Sequence, residues 1–328
     1  EKVKPYILKL EPAFKDYIWG GNRLKRDWGK RTDMTPLAES WELSCHKDGH
    51  SVIANGEYSG KTLSYYLTEN PSALGTDCGK FKDFPVLIKL IDARDKLSVQ
   101  VHPDNSYAQR VEGEYGKTEM WYIIDCEEGA ELIYGFRRKL TKDEFRLAIE
   151  KNSLLDEVKR VKVKKGDVFF IEPGTLHAIG EGILIAEIQQ NSNTTYRVYD
   201  YGRTGADGNP RELHIEKALE VTKLSPARPY KLQKPVELDG RTVQLLADCE
   251  YFTVSKHEIK EQSRLCADTR SFNHVLAIEG EGVLVSKNSE IRLKKGSSVF
   301  VPAGTGTYDI KGKITVLVTE IKELQEEI

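Results

Sequence analysis

The stretch Lys164–Ile179, KKGDVFFIEPGTLHAI, aligns without a gap to KKGSSVFVPAGTGTYD, Lys294–Asp309, so that position 164 falls on position 294. Lys-Lys-Gly matches Lys-Lys-Gly, an apolar strand matches an apolar strand, and Gly174-Thr175 falls on Gly304-Thr305. A glycine turn, a short strand and a second turn therefore occur twice. Self-similarity at a fixed offset is the mark of one structural plan used twice.

The surrounding sequence agrees with that plan. From Phe84 onward it reads as short strands: FPVLIKLID, KLSVQVHP, EMWYIIDC, AELIYGF, VKRVKVKKGDVFFIEPG, GILIAEIQQ and TTYRVYDYG. After SPARPYKLQKP (225–235), with three prolines in eleven residues, strands resume with TVQLLAD, YFTVSKHEI, SFNHVLAIEGEGVLVS, EIRLKKGSSVFVPAG and ITVLVTEI. Many short strands with Gly/Pro turns argue for antiparallel barrels or sandwiches. Helices are few: TLSYYLTEN with Thr62 as N-cap, LTKDEFRLAIEKN with a Thr141/Glu144 capping box, and RELHIEKALEVTKL with Leu213, Ala218 and Leu219 as buried candidates. The fold class is thus mainly β: two cupin-like jelly-roll barrels with a few short helices. The units are residues 1–224 as a first domain of strands with a helical segment, 225–240 as linker, and 241–328 as a C-terminal cupin-like domain. His177 falls on Thr307, so only the first unit is a candidate for metal chemistry.

Composition narrows the function. With 49 basic and 51 acidic residues among 328, the formal net charge is −2, and no attraction to nucleic acid or anionic membrane follows. No apolar run is long enough to span a bilayer. The first residues, EKVKPYILKLEPAF, contain no signal-like block, and five scattered cysteines make neither a disulfide framework nor a thiolate zinc site. The expected location is cytoplasmic.

In LSVQVHP the apolar Leu97, Val99 and Val101 alternate with Ser98, Gln100 and His102, which share one face of the strand. His177 sits at a strand end in the same unit, and Glu119 begins the strand GKTEMWYII. Two imidazoles, a carboxylate and an amide oxygen suit a borderline divalent ion, zinc first, then iron(II) or manganese. The bland reading is that a buried histidine is a hydrogen-bonded core residue. Other motifs fall away. GEYGKT at Gly113–Thr118 lacks the first glycine of a phosphate loop, and a strand follows it. HKDGH at His46–His50 contains a turn-forming Asp-Gly and reads as solvent-facing, and His257 and His274 have no evident partners.

The sequence resembles the type I mannose-6-phosphate isomerases, in their short bacterial branch. The likeness rests on AESWELS (38–44), LSVQVHPD (97–104), GKTEMWYI (116–123), PGTLHAIG (173–180) and NSNTTYRVYDYGR (191–203), in family order. The resemblance implies one zinc ion per chain held by Gln100, His102, Glu119 and His177. It implies interconversion of mannose 6-phosphate and fructose 6-phosphate through a cis-enediol, with Lys117, Glu187 and Arg197 as catalytic residues. Ser98 is similar to a phosphate-contacting serine; Lys89 is a candidate for phosphate, and Trp41 with Glu42 for the cavity mouth. The helical insertion of longer members is missing, with Leu140–Leu155 as the nearest substitute. The expected partner is a sugar phosphate, and the expected assembly a monomer or weak homo-oligomer. Competing readings are a cupin-type iron(II) oxygenase, which leaves Gln100 and the cations unexplained, and a non-catalytic sugar-binding bicupin.

Overall fold

The computed structural model describes residues 3–323. The outermost ends of the two expected units lie outside the described residues. Among those described, the first unit is built on two large antiparallel sheets, with a two-stranded hairpin, Cys45–His46 and Gly49–His50, beside them. One has six strands, in the order Val168–Ile171, Glu119–Cys126, Ile183–Gln190, Val86–Ala93, Glu39–Leu43 and Ala13–Lys15. The other has five: Val158–Lys162, Glu131–Phe136, His177–Ala178, Val99–Val101 and Tyr196–Tyr199. They pack through Trp121, Ile123, Ile185 and Ile91 on one side and Leu132, Tyr134 and Ile179 on the other. The result is the cupin-like jelly roll expected from the sequence, with its two sheets facing each other and not closed into one continuous barrel.

Val86–Ala93 and Ile183–Gln190 are buried along their whole length. Period-two alternation explains how both faces are covered. Val86, Ile88, Leu90, Leu184, Ala186 and Ile188 face outward into a core shared with Leu246, Phe252, Phe272 and Phe300 of the second unit. The alternate positions, Lys89, Ile91, Ile185 and Glu187, face the interior of the first roll. The six-stranded sheet is therefore a wall between a hydrophobic interface and a cavity.

The second unit holds its own core of Leu265, Val275, Leu284, Val299, Val301, Tyr308 and Ile310. Its long strand Asn273–Ser286 shifts register between Ala277 and Glu279, and its two halves pair into different sheets. The chain start joins this unit, with Leu8 opposite Phe300 and Leu10 opposite both Ser298 and Ile53.

The repeat is visible in the backbone. Val168–Ile171 and Ser298–Val301 are strands at the aligned positions. Gly166 and Gly296 have φ of 92° and 90°, Gly174 and Gly304 of 85° and 84°, a region glycine enters without a Cβ clash. The Gly174 N–H donates to His102 O, and the Gly304 N–H to Asp268 O. Ile171 pairs with Glu119 and Val301 with Asn273. Asp268, Asn273 and Thr307 thus stand in the second unit where His102, Glu119 and His177 stand in the first.

Thr62 and the Thr141/Glu144 box cap helices Leu63–Glu69 and Lys142–Glu150 as the sequence predicts. The third helix is shorter, Ile215–Val221, which leaves Leu213 exposed outside it. Two helices went unread, Arg23–Trp28 and Asn105–Val111, each under two turns. Val236–Leu238, inside the stretch read as linker, pairs as an edge strand with Arg241–Asp248. No described helix is long and apolar enough to cross a membrane.

Candidate metal centre and substrate cavity

Glu119, Trp121 and Ile123 alternate with Met120, Tyr122 and Ile124, so the first set points into the roll. Glu119 opens this strand at the inner end of the cavity, across from the opposing sheet. There His177 pairs directly with Gln100, whose other neighbour is Arg197. His102 follows two residues after Gln100. Ligand-type atoms of His102, Glu119 and His177 all lie within 4.8 Å of one another, and all three residues are buried. His102 Nε2 is 2.9 Å from Glu119 Oε1.

The residues present fit a divalent cation. Glu119 Oε1 is buried without a hydrogen-bond partner, which is costly for a carboxylate unless a cation meets it. The Nδ1–H of His177 donates to Thr175 O at 2.8 Å, which fixes the tautomer and leaves Nε2 with its lone pair. Burial lowers the pKa of both histidines, so both are neutral, the form a metal needs. Burial pushes Glu119 up, but Lys117 and the hydrogen bond with Glu187 outweigh it and hold the carboxylate charged. The Gln100 amide donates to Ser98 O and Oγ at 3.2 and 3.3 Å, leaving its carbonyl oxygen available.

Above the cluster lies a cavity of about 330 Å³, the size of a small-ligand site. Lys89, Ser98, Gln100, Lys117, Glu119, His177, Glu187 and Arg197 line it, whereas His102 lies behind the lining. Trp121, Glu187, Lys89 and Trp41 occupy one cross-strand row of the six-stranded sheet. The Trp121 indole N–H is shared between Glu119 Oε2 (3.0 Å) and Glu187 Oε1 (3.2 Å). Glu187 is pushed up to about 8, first by burial and then by the Glu119 charge. Lys117 is pulled down by burial and by Lys89, with its Nζ 3.6 Å from Glu119 Oε1 and 3.3 Å from Thr195 Oγ1. Burial pulls Lys89 down too, but Glu39 and Glu187 more than reverse it, so this ammonium stays charged. Arg197 donates from Nη1 to Glu212 O and faces Arg211, which Asp200 grips with two hydrogen bonds of 2.8–2.9 Å.

Some expectations are corrected. Trp41 is fully buried behind the cavity, its ring 4.9 Å from Lys89 Nζ and its N–H donating to Glu39, so it supports the lining without joining it. Glu42 is buried against Lys30 at 2.7 Å. Leu140–Leu155 contributes nothing to the cavity lining. His46 is buried, not solvent-facing, because its ring packs edge-on to Trp41 and its Nε2–H meets Glu114. His257 and His274 do have partners, Ser255 and Ser298. Sequence reasoning missed Tyr17, Glu39, Asn193, Thr195 and Arg211. Asn193 and Thr195, inside the quoted NSNTTYRV stretch, and Glu39, inside AESWELS, were within reach; Tyr17 comes from the loop after strand Ala13–Lys15, and nothing local marks it.

Two jelly rolls on one plan, one carrying a buried His–Glu–His set beneath a cation-rich cavity, define a bicupin with a candidate metal centre. Residues 7–132 match the family described as phosphomannose isomerase type I, catalytic domain, and residues 242–321 match the mannose-6-phosphate isomerase cupin domain. Mannose-6-phosphate isomerase ManA of Bacillus subtilis is 40% identical over 96% of this chain and 98% of its own. The Streptococcus mutans mannose-6-phosphate isomerase is 37% identical over 96% and 98%. The crystal structure of the Bacillus subtilis enzyme superposes with a TM-score of 0.91 at 38% identity, covering 97% of this chain and all of that one. The chain belongs to the type I phosphomannose isomerases, a metal-dependent family, and is an aldose–ketose isomerase. That membership decides against the oxygenase and the non-catalytic readings.

Proposed function

We propose that the protein is a zinc-dependent mannose-6-phosphate isomerase working through a cis-enediol. The observation that carries this reading is the joining, in one buried cavity, of a His–Glu–His set whose imidazoles are neutral with a high-pKa carboxyl and four cationic side chains. Gln100, His102, Glu119 and His177 would hold the zinc, one ion per chain. Bound there, a divalent cation supplies Lewis acidity to the oxygens on C1 and C2 of the open-chain sugar.

The remaining work falls to the protein's own groups. Isomerisation moves one proton from C2 to C1 and needs a group that both takes and returns it. Glu187 suits that role because it is buried, lines the cavity, and has its affinity for a proton raised toward neutrality. Lys117, its ammonium near Glu119, stabilises negative charge developing on the enediol oxygens. Arg197, Ser98 just ahead of the strand paired with that of Arg197, and the charged Lys89 orient the substrate and its phosphate dianion. Arg197 also acts on the enediol. The division into a catalytic unit over 1–224, a connecting segment and a C-terminal unit without ligands is part of this proposal. So is a cytoplasmic monomer or weak homo-oligomer.

The test couples fructose 6-phosphate formation from mannose 6-phosphate to a dehydrogenase readout, before and after chelation and with zinc restored. Loss on chelation and recovery with zinc is the expected result. Full activity in demonstrably metal-free protein refutes the metal reading. Inactivity of the fully zinc-loaded protein toward mannose 6-phosphate refutes the substrate.

A further inference from the structure

The hairpin Cys45–His50, strands Cys45–His46 and Gly49–His50 around Lys47-Asp48, lies outside the cavity yet is bonded to the loop that carries cavity residues. That loop, 191–195, joins strand Ile183–Gln190 to strand Tyr196–Tyr199 and presents Asn193 and Thr195 to the cavity. Thr195 Oγ1 in turn accepts from Lys117 Nζ.

Glu114 sits between hairpin and loop. Its Oε1 accepts from His46 Nε2–H at 2.7 Å. Its Oε2 accepts from Thr194 Oγ1 at 2.7 Å, and more distantly, at 3.4 Å, from Ser192 Oγ and the Asn193 N–H. The Asp48 N–H donates to His46 Nδ1, which places the ring proton on Nε2, so the neutral imidazole already meets Glu114 as a donor. The hairpin holds the loop a second time, through Asn193 Nδ2 donating to Asp48 Oδ2 at 3.0 Å. His46 cannot tilt away freely, because its ring stands edge-on to Trp41 at 5.9 Å and a Cβ on Gly49 would already press on the same indole. A carboxylate with donors on both oxygens is also consistent with the low proton affinity of Glu114, pulled to about 2 chiefly by the His46 hydrogen bond.

We infer that His46 and Glu114 are positioning residues for the isomerisation: they fix loop 191–195 so that Thr195 orients the Lys117 ammonium in the cavity. The inference rests on the reading of Lys117 as part of the machinery. Neither residue touches the cavity.

The experiment measures kcat, KM, bound metal and melting temperature for Glu114→Gln, His46→Ala, His46→Gln and Thr194→Val, with Lys117→Ala as reference. Glu114→Gln keeps the shape but turns an amide donor toward one of the donors now satisfied. It should lower kcat by about tenfold, less than the ~10²-fold that a 1 Å misplacement of a reacting group costs. KM should stay within about twofold and bound metal unchanged, since the loop supplies no ligand of the His–Glu–His set. His46→Gln, whose amide can donate to Glu114, should recover most of what His46→Ala loses. Should His46→Ala fail to fold, Thr194→Val on the outer loop and Asp48→Ala at the hairpin tip carry the test. A wild-type kcat in folded, metal-replete Glu114→Gln and Thr194→Val, with Lys117→Ala inactive, overturns the inference and leaves the reading of the site standing. A wild-type kcat in Lys117→Ala overturns both.

Discussion

Replacing Glu187 by glutamine isolates proton transfer from everything else the cavity does. The substitution is nearly isosteric and leaves an acceptor oxygen for the Trp121 indole, which Glu187 shares with Glu119. Glu187 lies beside the His–Glu–His set without belonging to it, so bound metal should not change. The substitution removes only the ability to take and return a proton. General acid–base catalysis contributes about 10²- to 10⁴-fold. At about 1.4 kcal/mol per decade, Glu187→Gln should raise the barrier by roughly 3–5 kcal/mol. The assay is steady-state kcat on zinc-loaded protein, with deuterium uptake from solvent into the sugar as a second readout that product release cannot mask. The pH profile supplies a further check. A base must be ionised to act, so the rate should fall as pH drops through the Glu187 pKa. That pKa is about 8 with Glu119 negative beside it, and a cation on Glu119 opposes the shift, so the limb belongs below 8. Glu187→Gln should abolish this limb. A kcat within about threefold of wild type, with the acid limb intact, refutes Glu187 as the proton carrier.

Other outcomes follow from the same geometry. His177→Ala should lose bound metal and turnover together while far-ultraviolet circular dichroism stays unchanged; metal retained at full stoichiometry would remove His177 from the ligand set. Arg197→Ala should chiefly lower kcat, and an unaltered rate would exclude it from the chemistry. Lys30→Met leaves the fully buried Glu42 carboxylate without its cation, and breaking such a pair costs about 3–5 kcal/mol, read as a shift in the denaturant midpoint. Phe300→Ala, in the shared core and stacked on Phe272 at 4.9 Å, should cost about 3–5 kcal/mol and leave metal content per folded molecule unaltered.

What the sequence made legible was whatever has a local cause. The glycine turns of the repeat need a left-handed backbone, and the alternation in LSVQVHP and EMWYII sorts side chains onto two faces; both are written in a few adjacent residues. The clustering of His102, Glu119 and His177 was readable because polar groups recur on an inward face of otherwise apolar strands. The hairpin at His46 was misread for the opposite reason. Asp-Gly does make the turn, but the burial of His46 depends on Trp41 and on Glu114, 68 residues away, and no local pattern announces a partner at that distance. Trp41 went wrong in the same way, since no strand was read before Phe84 and the ammonium that covers its ring comes from Lys89, on a strand that is distant in sequence. The jelly-roll class was legible, but the choice between barrel and sandwich stayed open, because strand patterns say which residues pair in kind and not whether the last strand returns to the first.

The two copies of the plan show what a functional interior demands. In the second roll, Asn273 replaces Glu119, and its amide donates to Tyr308 Oη at 2.8 Å and to Cys266 O at 3.1 Å, beside a core of Val275, Val299, Val301 and Ile310. A neutral amide, its NH2 group partnered inside the protein, stands where the carboxylate stood, and apolar side chains pack beside it. In the first roll, Lys89, Lys117, Glu119 and Glu187 are all buried around a cavity, and Glu119 Oε1 lacks a hydrogen bond. Buried charge of that kind opposes folding unless other contacts offset it. Those contacts lie on the opposite face of the same strands, where Ile88, Leu90, Ala186 and Ile188 meet Phe252, Phe272 and Phe300 of the filled roll. The filled roll therefore supports the one with the cavity: it covers the back of the wall whose front bears Lys89, Glu119 and Glu187. Removing it would expose a row of branched apolar residues and leave the charged face with nothing behind it to hold the sheet in register.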